Sequence, residues 1–284
     1  MTVATLAEVL QPALRQGYAV AGLVCLGWED MRAFAMAAEA EGAPVILQAG
    51  PSCRQHTPLP VLGAMLRHLA ESISVPAVIH LDHGASFVEC REAIEAGFTS
   101  VMFDGSRKPL AQNIDETAAI ADLAHGAGVS CEGEIGFVGY AGGAASAGTD
   151  PDEAARFERE TRIDAMAISV GNVHLEQEAR TLLDTERLLA IEAATSLPLV
   201  LHGGSGVPAA RRVALARQTK ICKFNIGTEL RMAFGDALRQ AVYADPARFD
   251  RIAILRETHL PVMNAARRVI RELGAPDHGG STSQ

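Results

Sequence analysis

The sequence predicts an α/β fold closed into a parallel (β/α)8 barrel, one domain spanning residues 1–284. Three observations lead there. Eight apolar, strand-like runs alternate with helix-patterned segments along the chain. A length of 284 residues suits one such barrel. Hydrophobic residues make up 48% and aromatics only 5%, so the core is filled by Ala, Val, Ile and Leu, as in parallel strands covered by helices. No G-x-G-x-x-G follows the first strand, which weighs against an open, dinucleotide-binding sheet.

In chain order, YAVAGLVCL (18–26) reads as the first strand and is followed by the helical pattern WEDMRAFAMAAEAEG. PVILQAG (44–50) leads to LPVLGAMLRHLAESI, and PAVIHLD (76–82) to SFVECREAIEAG. TSVMFDG (99–105) precedes AQNIDETAAIADLAHGAG, and VSCEGEIG (129–136) is the fifth strand. DAMAISVGN (164–172) precedes DTERLLAIEAATS, LPLVLHGG (197–204) precedes PAARRVALARQ, and KICKFNIG (220–227) is the eighth. Gly42, Gly97, Gly126 and Gly128 mark helix ends, and Pro44, Pro76 and Pro198 mark strand starts. Residues 228–273 are expected as a helical tail outside the barrel or against a neighbouring subunit, and 274–284 as a frayed end. The Gly-, Ala- and Ser-rich stretch FVGYAGGAASAGTDPDEA (137–154) is too long for an ordinary strand–helix connection. It is expected as a mobile lid or flap on the catalytic face.

Charge and composition exclude several partners. A net charge of −9 without a Lys/Arg-rich run argues against nucleic acid and acidic membrane surfaces. No apolar run approaches the roughly 20 residues of a membrane span. The first residues do not read as a signal peptide. Five cysteines without a C-x-x-C pair fit a reducing cytoplasm better than a disulfide framework.

Three histidines stand where apolar runs leave the barrel: His83 after VPAVIHLD, His174 after MAISVGNV, and His202 in LPLVLHGG. Imidazoles on three strand ends share one site only if they serve it together, and such a triad suits Zn²⁺ with a position open for water or substrate. Asp82, beside His83, is placed to move protons. Glu132 and Glu134 alternate onto one face of the fifth strand, where a carboxylate needs a metal or a donor such as Lys223. His56, His68, His125, His259 and His278 read as surface residues. The turns HGGSG, with Gly203 and Ser205, and NIGT, with Asn225, Gly227 and Thr228, leave the last two strands for helix starts. Loops after these strands are the usual phosphate site of this fold.

IHLDHG (79–84), VMFDGS (101–106), CEGEIG (131–136), VLHGGSG (200–206) and CKFNIGTEL (222–230) resemble, in order, the class II zinc-dependent ketose-bisphosphate aldolases of fructose- and tagatose-bisphosphate type. The resemblance implies reversible aldol cleavage of a ketose (bis)phosphate to dihydroxyacetone phosphate or a similar ketone plus an aldehyde. It implies Zn²⁺ on His83, His174 and His202, Asp82 as the proton-transfer residue, and Glu134 at an alternative metal position. Gly171, Gly203, Ser205, Asn225, Gly227 and Thr228 would bind phosphate or substrate, with Na⁺ or K⁺ near the phosphate loops. A homodimer or homotetramer in the cytoplasm is expected. The chain departs from the family at Leu175, where a glycine follows the metal histidine, and at Val24 and Gly50 on the aldehyde side. It departs again in the lid, which lacks the acidic base; Tyr140, Glu176 or a water on the metal would replace it. A metal-dependent hydrolase is disfavoured because strand 1 carries no His. A non-catalytic barrel that binds sugar phosphate beside a partner is the other alternative.

Overall fold

The computed structural model describes residues 2–280. The chain opens on β1 (Val3–Ala4), which pairs with the base of the third barrel strand, and on α1 (Leu6–Gln16). Thr5 starts this helix through a reciprocal capping box with Glu8. Its apolar face (Leu6, Val9, Leu10, Ala13) is buried, and the helix touches β-strands all round the barrel, so it plugs the N-terminal mouth.

The β/α units follow in the order expected. They are β2 (Val20–Cys25) with α2 (Trp28–Glu41), and β3 (Val45–Ala49) with α3 (Pro51–His56) and α4 (Leu59–Glu71). Next come β4 (Ala77–Gly84) with α5 (Phe87–Glu95), and β5 (Ser100–Phe103) with α6 (Leu110–Gly126). β6 (Ser130–Ile135) leads through a long loop holding β7 (Gly139–Tyr140) to α7 (Pro151–Thr161). β8 (Ala165–Ile168) is followed by β9 (Val173–His174) and α8 (Thr185–Ala194). β10 (Leu199–Leu201) runs through a 3-10 turn at Gly204–Gly206 into α9 (Ala209–Gln218). β11 (Ile221–Ile226) completes the barrel, and α10 (Thr228–Ala244) and α11 (Arg251–Glu272) lie outside it.

Eight strands pair in parallel in the order β2–β3–β4–β5–β6–β8–β10–β11, and β11 closes on β2. β3, β5, β6, β8, β10 and β11 are buried at every residue, as strands covered on both faces must be. The outer shell is rich in alanine: Ala33, Ala35, Ala37 and Ala38 let α2 sit close to its neighbours. Glu41 at the end of α2 accepts from Arg267 Nε (2.6 Å) and Arg271 Nε (2.7 Å), which ties α11 to the barrel wall. All five cysteines are buried and free.

Two expectations need correction. Residues 274–280 do not hang free: Ala275 is buried, Gly279 N donates to Gly42 O (2.6 Å), and His278 stacks on Tyr18 at 4.0 Å. Residues 281–284 lie outside the described residues. His259, expected on the surface, is half-buried, and its Nε2 is enclosed. The stretch expected as a flap carries regular hydrogen bonds. β7 pairs with β9, Phe137 bridges Ala147, and Asp150 caps α7 through Asp152 N and Glu153 N.

Candidate active site

The barrel is apolar outside its strands and polar inside them. His80, Asp82, Glu132, Glu134, Lys223 and Asn225 alternate along β4, β6 and β11 and are all buried, so their polar groups face one another across the axis. At the lower level Lys223 Nζ donates to Glu132 Oε2 (2.7 Å) and to His80 Nε2 (3.2 Å). An ammonium only donates, so His80 Nε2 accepts, and its Nδ1 carries the proton shared with Ser100 Oγ (2.8 Å). Burial and the Lys223 charge hold the His80 pKa well below the usual imidazole range, which keeps that ring neutral.

One level up, Glu132 Oε1 lies 3.3 Å from His202 Nε2. The carboxylate that accepts from the Lys223 ammonium accepts here too, so Nε2 donates and Nδ1 holds the free lone pair. That Nδ1 has no hydrogen-bond partner, nor has Glu134 Oε2, and the two buried atoms stand 3.5 Å apart. His83 and His174 complete the group, with ring centroids 4.7 Å (His83–His202), 5.2 Å (His83–His174) and 5.6 Å (His174–His202) apart. One nitrogen from each of the three rings lies within 4.8 Å of those of the others. His83 Nδ1 is held by Asp104 Oδ2 at 2.8 Å, so Nε2 is the ring nitrogen left for a metal. Asp104 is itself fixed by Ser106 Oγ (2.6 Å). His83, Asp104 and Glu134 form a second potential cation cluster on the other edge of the same ring.

This donor set fits a divalent cation. Two orphaned buried polar atoms facing each other would be costly without a shared partner, and imidazoles held by carboxylates on their far nitrogens are the usual arrangement around zinc. Electrostatics agree. Burial, then the charges of the other two imidazoles, lower the His174 pKa to about 3, so its ring is neutral and ready to ligate. Burial disfavours a charged His83, but Asp82 and Asp104 outweigh it and raise its pKa to about 10. Burial and the neighbouring Asp104 push Glu134 up to about 8. Asp82 feels the burial penalty too, yet His83 and His202 bring its pKa below the usual carboxylate range.

Asp82 and the turns after β10 and β11 line one cavity of about 330 Å³ with His83 and His174. Gly203, Ser205, Asn225, Gly227 and Thr228 all line it. Gly203 needs its positive φ of 66°, and a Cβ there would lie 2.2 Å from Val173 O. Ser205 Oγ accepts from Glu229 N (3.4 Å), which sets the hydroxyl at the first turn of α10 beside Thr228. Asn225 Nδ2 donates to Asp82 Oδ1 (3.0 Å) and so aims that carboxylate. Gly171 is brought less close: it turns the chain at φ 95° and does not line the cavity. Leu175 holds the left-handed conformation, φ 60°, which a residue with a Cβ rarely adopts.

Whole-chain comparison places this arrangement. The model of the class-II fructose-bisphosphate aldolases matches residues 4–278. This chain belongs to the class II fructose-bisphosphate aldolase family. It is 35% identical over 288 residues to the 6-phospho-5-dehydro-2-deoxy-D-gluconate aldolase of Shouchella clausii, covering 98% of this chain and 97% of that one. It is 35% identical to a probable fructose-bisphosphate aldolase of Bacillus subtilis, over 97% of this chain and 99% of its relative. The crystal structure of the YdjI aldolase from Escherichia coli K12 superposes with a TM-score of 0.85 at 30% identity, covering 98% of this chain and all of that one. The protein is therefore an aldolase of a metal-dependent, sugar-phosphate-binding family, a lyase and not a hydrolase. Among its described residues no helix is long and apolar enough to cross a membrane.

Several residues that shape the aldolase site escaped the sequence reading. Asp104 was visible only as the D of V-M-F-D-G-S, without a role. Ser52, Pro51 and Arg231 line the cavity from helix starts, where no periodicity marks them. Arg54 lies beneath the His83 turn and is held by backbone carbonyls, which no motif announces. Of the candidate lid bases, Tyr140 lines the cavity and stacks on His174 at 4.9 Å, whereas Glu176 lies outside the lining and within 3.8 Å of Arg180.

Proposed function

We propose that the chain is a zinc-dependent aldolase that cleaves and forms a ketose phosphate, with dihydroxyacetone phosphate or a similar ketone as one product. His83, His174 and His202 hold the ion, and Glu134 offers an alternative position for it. The observation that carries this reading is the pair of buried, partnerless atoms, His202 Nδ1 and Glu134 Oε2, facing each other beside the other two imidazoles. When bound, the metal acts as a Lewis acid toward the ketone.

The chain's own groups do the rest. The Gly203–Ser205 and Asn225–Thr228 turns line the cavity beside the start of α10 and would take the phosphate, and a Na⁺ or K⁺ ion would share those loops. Asp82, aimed by Asn225, takes the proton from the hydroxyl on the carbon that becomes the aldehyde. As the carbon–carbon bond breaks, its electron pair stays with the ketone fragment. Tyr140, the only titratable residue in 137–149, gives its hydroxyl proton to that carbon in place of the family's lid carboxylate. Burial raises the Tyr140 pKa, so the phenol is protonated and suited to act as the acid.

The aldehyde end is lined by Val24, Gly50 and Pro51, with Arg231 as its cation. Relatives named for fructose bisphosphate and for 6-phospho-5-dehydro-2-deoxy-D-gluconate both imply a phosphorylated substrate. We assign the enzyme to the cytoplasm, as a homodimer or homotetramer. The test is a cleavage assay on those two compounds and on tagatose bisphosphate, with zinc added or chelated. Zinc-dependent release of a triose phosphate is expected from at least one. Undiminished turnover after full metal removal would refute the reading.

A further inference from the structure

We infer that Arg54 is a positioning residue for the Asp82–His83 corner, and that metal affinity depends on it; this rests on the metal reading above. The corner is unusual backbone. His83 has a φ of 54°, left-handed for a residue with a Cβ. The β4–β5 pairing breaks register between Leu81 and Gly84, so the carbonyls of Asp82 and His83 leave the ladder. Arg54 collects them. Its Nη1 donates to Asp82 O (2.7 Å) and to Ala49 O at the end of β3 (2.7 Å), and its Nη2 donates to His83 O (2.9 Å). Nε donates to Glu89 Oε1 (2.8 Å), and the other oxygen of that carboxylate accepts from Ala85 N (2.7 Å). A single guanidinium thus ties two strand ends and the first turn of α5 around the residues that carry the proton and the metal. The side chain is 7% exposed, so these bonds are shielded from water. A lysine would offer three donors on one nitrogen where four N–H groups spread over three nitrogens are used.

The geometry also supplies the test. Behind Arg54 a cleft of about 620 Å³, lined by Leu59, Pro60, Glu89, Glu92 and Glu95, opens to solvent. Its acidic wall admits a small cation to the place an Arg54→Ala side chain leaves. Zinc affinity of the full-length chain, measured by competition with a chromophoric chelator, should fall about 10- to 100-fold in Arg54→Ala. Arg54→Lys should fall less. Millimolar guanidinium should restore part of the affinity to Arg54→Ala and leave the wild type unchanged. Turnover should fall through kcat with KM little altered, since the phosphate turns are untouched. Glu92→Gln, in the same cleft without a bond to Arg54, should bind zinc like the wild type. If Arg54→Ala fails to fold, Arg54→Lys decides. Wild-type zinc affinity in the folded variants, or a loss that guanidinium does not relieve, would overturn the clamp while leaving the aldolase intact. A wild-type chain that binds no zinc would overturn the metal reading and the clamp together.

Discussion

Lys223→Met tests the polar interior beneath the metal site. Lys223 and Glu132 are both fully buried, with Nζ 2.7 Å from Oε2, and His80 and His202 are the other groups that touch the pair. Methionine keeps the volume and removes the charge, so it leaves a carboxylate in the barrel with no cation. Breaking a buried pair on one side costs about 3–5 kcal/mol, because one charge keeps its desolvation penalty and loses its compensation. At about 1.4 kcal/mol per decade this is a fall of about two to four decades in the folding constant. Urea unfolding of the metal-stripped protein, followed by circular dichroism, measures it free of stabilisation by bound ion. The double variant Lys223→Met/Glu132→Gln, neutral on both sides, should recover most of the loss. A single variant within about 1 kcal/mol of wild type at pH 8 would refute the reasoning, since that is below the range for a broken buried pair. So would a double variant no better than the single one.

Three further outcomes are expected. Zinc binding should release about one proton at neutral pH and tighten as pH rises, because His83, raised to about 10, must shed a proton to ligate; calorimetry in buffers of different ionisation enthalpy counts it, and a count of zero would contradict the assignment. Tyr140→Phe keeps the ring on His174 but removes the hydroxyl, so exchange of the ketone's carbon-bound hydrogen with solvent deuterium should fall about 10²- to 10⁴-fold with zinc affinity unchanged; an unaltered exchange rate would remove Tyr140 from the mechanism. Glu41→Gln should lower the melting temperature at pH 7. Burial raises the Glu41 pKa, but the hydrogen bonds from Arg271 and Arg267 bring it below the normal value. Its contribution is therefore present above about pH 4.3 and lost as pH falls through the folded pKa, so the two melting curves should converge in acid.

The sequence by itself determined the barrel and most of what lines it. Strand runs such as PVILQAG are buried on both faces and so must read as continuous apolar stretches, and the glycines and prolines between them mark where each strand begins and each helix ends. His83, His174 and His202 stood out because strand ends in this fold all point to one mouth, which makes residues far apart in sequence neighbours by topology. Tertiary structure alone decided how those rings are held. Whether Glu132 serves Lys223 or a metal depends on which strand lies across the axis, and period-2 alternation says only that the side chain points inward. The hydrogen-bond partners of Asp104 and Arg54, and the strand pairing that lays Tyr140 on His174, join segments by backbone register and carbonyl direction. A linear pattern of side chains carries neither quantity, so the scaffold was legible in the chain and the support of its site was not.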